Sequence, residues 1–293
     1  MSKTDRRDPA RRAAVLEKRK ARYRRRGLAV AWAIVGAMVL SLMVTTVVFQ
    51  RDFIYYPNGD ADPGAVGLKT GEDISFITAD GLTLKAWFVK PTVTSNNIAV
   101  LFAHGNAEDR SGGIGIAQAL AHLGYSVLLM DYRGYGGNPG HPSQAGIALD
   151  ASAAAGWLHD HGFPASRTVY VGESLGTAVV TQLAASDPPA ALLLRSPFTS
   201  LSAVVDGWVP LLGTVIVDRF DTLGYLPKIR VPVTVLCGSA DTMVPASQSR
   251  TVADHVSDLY RFVELPDVGH NDDVWEGSYL AQQIDDLAKH AIG

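Results

Sequence analysis

Serine, aspartate and histidine recur along this chain at positions where they could act together as a nucleophilic centre. Gly172-Glu173-Ser174-Leu175-Gly176 follows the apolar run Thr168–Val171 and opens a helical pattern. In a G-x-S-x-G elbow, the sharp strand-to-helix turn exposes the serine at the end of the strand, and the glycines make room for crowded backbone. A serine hydroxyl is a weak nucleophile near neutral pH, so the reading requires a base and a group that orients the base. On such an elbow the partners follow in the order serine, acid, histidine. Asp241 comes shortly after the run Val233–Leu236, and His270 shortly after Arg261–Leu265. Asp267 and Asp272 are the alternatives for the acid. Negative charge developing on an attacked carbonyl needs N–H donors. The expected oxyanion pair is the backbone of Leu175, next to the serine, and that of Asn106 in the loop His104-Gly105-Asn106-Ala107.

Those residues need a scaffold that presents loops at strand ends. Ile74 to Thr78 and Thr83 to Lys90 alternate in polarity like half-buried strands around the turn signal Asp80-Gly81. Apolar runs without alternation follow at Ile98–Ala103, Val127–Met130, Thr168–Val171, Ala191–Leu194 and Val233–Leu236. Such runs suit strands of a parallel sheet covered on both faces. Helical patterns intervene at Gly112–Leu123, Gln144–His159, Leu175–Ala185, Ala246–Val256 and Tyr279–Ala291. The expectation is an α/β fold with a mostly parallel central sheet, with Ser174, Asp241 and His270 past the strand ends where ligands of open α/β sheets bind. Pro197–Lys228 is too long for a simple crossover and rich in apolar residues. It reads as a cap over the site, with additional core as the alternative.

The formal net charge of −3 hides a split. Met1 to Arg26 carries twelve Lys and Arg against Asp5, Asp8 and Glu17, a local charge of +9, which leaves −12 on the rest of the chain. Leu28 to Phe49 contains no charge, and as a helix it would reach ~33 Å, matching a hydrocarbon core of ~30 Å. A cleavable signal peptide is the alternative, but its apolar region is usually only about 7 to 15 residues and ends in small residues. The run here ends Val47-Val48-Phe49-Gln50-Arg51, so a signal-anchor is expected. Basic flanks stay cytoplasmic, which places the N-terminus inside and the body on the extracytoplasmic side of the membrane. The organisation expected is a basic tail over 1–27, a transmembrane helix over 28–49, a linker over 50–71 and a catalytic domain over 72–293 with its cap at about 197–228. Phe53, Tyr55 and Tyr56 are candidates for an interfacial aromatic belt or for packing against the body.

Other classes are disfavoured. With 47% hydrophobic and 19% charged residues, the body can bury a core, which excludes a mostly disordered chain. The single cysteine, Cys237, excludes an internal disulfide framework and a CxxC metal site, and reads as a small buried hydrophobe. His159 and His161 lack a neighbouring third ligand, so no metal is expected. The basic tail has neither interleaved aromatics nor a fold of its own, so no nucleic-acid partner is expected. Arg133, in Asp131-Tyr132-Arg133-Gly134-Tyr135-Gly136, reads as part of a structural turn, with an acidic headgroup as the alternative partner.

Taken together, these stretches resemble the α/β-hydrolase superfamily, in the membrane-anchored branch that includes the α/β-hydrolase-domain-containing proteins thirteen and seventeen. Phe53-Ile54-Tyr55-Tyr56-Pro57, His104-Gly105-Asn106-Ala107, Ser196-Pro197-Phe198-Thr199-Ser200-Leu201, Val244-Pro245 and Gly269-His270-Asn271-Asp272 match in order, from about Phe53 to the C-terminus. The segment before the acid departs from the family, with Cys237-Gly238 where His and Gly are common, and the palmitoylated cysteine-rich N-terminus of some relatives is replaced by an apolar span. The resemblance implies a cofactor-independent serine hydrolase of esters or thioesters, with Ser174 as nucleophile, His270 as base and Asp241 as orienting acid. The expected substrate is a lipid or acyl ester. A serine peptidase or small-ester esterase on the same triad, and a non-catalytic scaffold that keeps the fold, are the competing readings.

Overall fold

The computed structural model describes residues 9–57, 64–65 and 68–293. Five of its strands are buried at every position: β3 (Ala99–Ala103), β4 (Ser126–Met130), β5 (Thr168–Glu173), β6 (Ala191–Arg195) and β7 (Val233–Gly238). Their unbroken apolar character has a direct cause, since successive side chains point to opposite faces and both faces are covered. Leu101, Leu128, Tyr170 and Leu192 face one core, while Val100, Val127, Val171 and Leu193 face the other. The helices α3 (Gln144–Asp160), α4 (Leu175–Ala184) and α7 (Ala246–His255) contribute to the first core. The second is closed by α2 (Ile114–His122) and α8 (Ser278–Ile292).

Strand order among the described residues is β1-β2-β4-β3-β5-β6-β7-β8. The first two strands, β1 (Gly71–Ile77) and β2 (Thr83–Val89), are antiparallel to each other, and β2 is antiparallel to β4. The remaining pairings are parallel, ending at β8 (Leu259–Leu265). Asp80-Gly81 does turn the chain, but Ile77 pairs with Thr83, so the connection is a longer loop than a two-residue hairpin. Its geometry is set by Thr78, whose hydroxyl donates to Asp80 and accepts the Leu82 N–H.

The chain divides into two units, Met1–Gln50 and Arg51–Gly293. Helix α1 (Pro9–Ile54) begins before the apolar run and continues past it, because the Ala, Arg, Lys and Leu of the basic stretch are themselves strong helix formers. Within it, Ala10–Thr45 is long and apolar enough to cross a membrane. Of the tail expected over 1–27, residues 1–8 lie outside the described residues, as do 58–63 and 66–67 of the linker expected over 50–71.

The insertion between β6 and β7 carries α5 (Leu201–Trp208), a tight turn over Leu212–Val215 and α6 (Thr222–Tyr225). Ser200 caps α5 by accepting the Ala203 N–H. Ile216, Phe220 and Leu226 join the core, whereas Trp208, Val209, Leu211 and Val217 stay exposed.

Candidate active site

Ser174 sits between β5 and α4 with φ 49° and ψ −114°. That conformation is strained for any residue with a Cβ, and strain of this kind persists only where the surroundings over-determine it. The flanking glycines supply the constraint. A Cβ on Gly172 would fall 2.4 Å from the Gly176 carbonyl oxygen, and one on Gly176 would fall 2.1 Å from that of Ala103. Only glycine lets β5, α4 and the end of β3 approach this closely. The Ser174 N–H is tied to the Arg195 carbonyl at 2.9 Å, which fixes the elbow to β6.

Asp241 and His270 come from the loops after β7 and β8 and meet at 2.6 Å through Asp241 Oδ2 and His270 Nδ1. Both are buried. Asp241 Oδ1 accepts the backbone N–H groups of Met243 at 2.9 Å and Val244 at 2.8 Å. Burial alone would push the Asp241 carboxyl up, but the hydrogen bond and charge of His270, with the Val244 N–H and Ser196, outweigh it and hold its pKa below the ordinary value. An ionised carboxylate only accepts, so His270 Nδ1 carries a proton toward it, and in the neutral imidazole Nε2 is then the nitrogen with the lone pair. The alternative acids do other things: the Asp272 carboxylate accepts the Gly269 N–H at 2.8 Å, and Asp267 is exposed at a left-handed turn with φ 58°.

The His104–Ala107 loop lies against the serine, since a Cβ on Gly105 would come within 3.7 Å of Ser174 Cβ. The side chain of Asn106 is already engaged. Its amide donates to the Ile54 carbonyl, and its oxygen accepts from the Tyr135 hydroxyl at 2.8 Å and the Tyr56 N–H at 3.4 Å. Any oxyanion contribution from Asn106 therefore falls to its backbone. The Asp131–Gly136 stretch buttresses the same loop: Tyr132 donates to the His104 carbonyl at 2.8 Å, and Asp131 accepts from the Arg110 backbone and guanidinium. Arg133 is buried between Asp80 and Asp150, in keeping with a structural turn.

Several contributors carry no sequence signal. Arg195 donates to the His270 carbonyl at 2.6 Å and to Glu173 at 3.2 Å, bracing the histidine from behind the elbow. Trp275 Nε1 holds the Gly269 carbonyl at 2.9 Å. Burial raises the pKa of Glu173, opposed by Arg195. The aromatic residues after the apolar run divide: Tyr55 is buried, whereas Phe53 and Tyr56 are exposed and line a cavity.

That cavity, about 390 Å³, falls in the range of small-molecule sites. Ser174, His270 and Asn106 line it, together with Leu201, Val205 and Trp208 of the insertion and Phe53 and Ile54. Among the described residues no group of three or more His, Cys, Asp and Glu side chains is placed to hold a metal ion. His161 instead stacks on Trp157.

A strained serine on a strand–helix elbow, with an acid–histidine pair from the next strand ends of a mostly parallel sheet, defines the α/β-hydrolase class. The chain belongs to the α/β-hydrolase superfamily, in its branch of α/β-hydrolase-domain-containing proteins, and a model of the alpha/beta hydrolase fold matches residues 98–215. It is 44% identical over 242 residues to the uncharacterized protein MT2364 of Mycobacterium tuberculosis, covering 80% of this chain and 86% of that one. To the Arabidopsis thaliana alpha/beta hydrolase domain-containing protein WAV2 it is 29% identical over 287 residues, covering 87% and 93%. A lysophosphatidylserine lipase, ABHD12 of Danio rerio, is 31% identical over 191 residues, 57% of this chain and 49% of that one. The same fold is seen in a Pyrococcus furiosus esterase, with a TM-score of 0.67 at 18% identity, covering 82% of this chain and 99% of that one.

Proposed function

We propose that this protein is a membrane-anchored serine hydrolase that cleaves carboxylic esters or thioesters of lipid or acyl-chain substrates. The reading is carried by one observation: the strained Ser174 and the Asp241-bound His270 open onto a single cavity walled by apolar side chains. His270 Nε2 takes the Ser174 proton as Oγ attacks the acyl carbon, forming the C–O bond of a tetrahedral intermediate. The oxyanion is held by the Leu175 N–H, which heads α4, and by the Asn106 N–H. Collapse breaks the bond to the leaving group, which receives the proton from His270, and leaves an acyl-enzyme. Water, deprotonated by His270, then releases the acid and restores Ser174.

Helix α1 anchors the enzyme as a signal-anchor, with the +9 tail on the cytoplasmic side and the hydrolase unit on the other. The apolar insertion and the lipase among its relatives favour an acyl-chain substrate over a peptide. A fluorophosphonate probe should label the native protein and fail to label Ser174→Ala. Equal labelling of the two would refute the assignment of the nucleophile, and hydrolysis rates that do not rise with acyl chain length would refute the substrate class.

A further inference from the structure

We propose that the tip of the insertion, Trp208–Val217, docks on the bilayer that holds α1, so that the cavity mouth opens at the lipid surface. This rests on the anchored-hydrolase reading and adds a second, peripheral membrane contact to it. The tip runs Trp208-Val209-Pro210-Leu211-Leu212-Gly213-Thr214-Val215-Ile216-Val217 and contains no charged residue. Trp208 is 61% exposed, Leu211 78% and Val217 61%. An apolar surface of this kind marks an interaction site. Leu211 is also held at φ 72°, a left-handed conformation that a leucine avoids unless the surroundings impose it. The fold thus spends strain to present an apolar side chain outward.

The bilayer is the occupant that the chain itself designates. Phe53, 67% exposed on the cavity wall, follows the uncharged run ending at Phe49 by four residues, a reach of at most ~14 Å even fully extended. The mouth is therefore tethered close to the membrane whatever the path of the chain. The tip is fastened to that same segment. Asp218, buried directly after the tip, accepts from Arg51 Nε and from the Tyr55 hydroxyl, both at 3.0 Å. Tyr55 packs edge-on against Phe220. Phe53, Tyr56 and Trp208, which line the cavity, and Leu211 on the tip are exposed side chains of the aromatic and apolar types that settle at a lipid interface, with Asp218 paired to Arg51 and the exposed Arg51 and Asp52 beside Phe53 at headgroup level.

The test uses the full chain in phosphatidylcholine–phosphatidylglycerol vesicles. Cys237 is buried, so Leu211→Cys can be labelled selectively with a polarity-sensitive fluorophore. Docking predicts blue-shifted emission that is quenched by lipids carrying a shallow nitroxide, equally in the native and Ser174→Ala backgrounds. Water-like, unquenched emission from protein that floats with the vesicles would overturn the docking while leaving the anchor intact. A shift that follows protein concentration rather than quencher lipid would assign the tip to contact between copies, and would equally overturn it. In a second arm, Leu211→Glu/Val217→Glu should cut turnover of a bilayer-embedded long-chain ester at least about tenfold. Turnover of a water-soluble short ester should be unchanged. Equal effects on both substrates would count against docking. Absence of hydrolysis by the native protein would refute the catalytic reading alone, because the fluorescence arm does not depend on turnover.

Discussion

Asp241→Asn probes the triad sharply because the structure dictates which way the new amide must face. Oδ1 sits opposite two backbone donors, Met243 N–H at 2.9 Å and Val244 N–H at 2.8 Å. An amide nitrogen placed there would point hydrogens at hydrogens, so the amide oxygen must take that position and the NH₂ must turn toward His270. At the 2.6 Å separation of Asp241 Oδ2 and His270 Nδ1, this NH₂ donates, and Nδ1 has to accept. The imidazole proton then moves to Nε2, the nitrogen that should remove the serine proton. The wrong tautomer costs on the order of 10⁴ in turnover in serine hydrolases of this geometry, or about 5.5 kcal/mol of transition-state stabilisation. KM should change little, since Asp241 does not line the cavity. The fold should survive, because the two backbone bonds persist and only the charge-assisted bond to His270 weakens. The assay is kcat and KM on a soluble nitrophenyl ester, alongside the rate of fluorophosphonate labelling. Retention of more than about a tenth of native kcat would refute the orienting role and the tautomer argument with it. Asp272→Asn is the control. Its carboxylate accepts the Gly269 N–H at 2.8 Å, which an amide oxygen does equally well, so less than about a tenfold loss is expected.

Two further outcomes separate structural from chemical roles near the site. Arg133 forks onto buried Asp150, with Nη2 to Oδ1 at 2.8 Å, and onto Asp80, with Nη1 to Oδ2 at 2.7 Å. Arg133→Ala strands the Asp150 carboxylate and should lower unfolding free energy by about 3 to 5 kcal/mol, measured by denaturant titration, with activity per folded molecule kept. Unchanged stability with a raised KM for acidic substrates would instead make Arg133 a headgroup ligand. His104 is buried, and desolvation lowers its pKa from 6.5, opposed by the Gly105 carbonyl and nearby carboxylates. As pH falls below 6.5 the unfolded chain takes up this proton more readily than the folded protein, so stability is lost in that direction. Between pH 7.5 and 5.5 the native Tm should therefore fall further than that of His104→Asn. Parallel Tm curves would refute this.

Ser174 and Asp241 are legible in the sequence because each stands past an apolar run, and an apolar run covered on both faces has few alternatives to a central strand, whereas His270 follows the half-exposed edge strand β8 and is read from the weaker pattern of Arg261–Leu265. The ties that hold the triad are illegible for the opposite reason. Arg51 reaches Asp218 across 167 positions, Arg195 reaches the His270 carbonyl across 75 and Asn106 reaches the Ile54 carbonyl across 52. Periodicity reports which face is buried, not which donor meets which acceptor. The insertion shows the same limit at its smallest scale. Ile216 and Val217 are adjacent and nearly alike, yet one is buried and the other exposed. Tyr55 and Tyr56 divide in the same way, Tyr55 packing into the body as one of the two readings expected while Tyr56 stays exposed. That segment changes where the catalytic unit begins. Phe53 and Ile54 wall the cavity, and Ile54 and Tyr56 bond Asn106, so a chain cut at Gly71 would lose part of the site although Ser174, Asp241 and His270 remained. The stretch that directly follows the apolar run therefore also holds the His104–Ala107 loop, through the Ile54 carbonyl and the Tyr56 N–H.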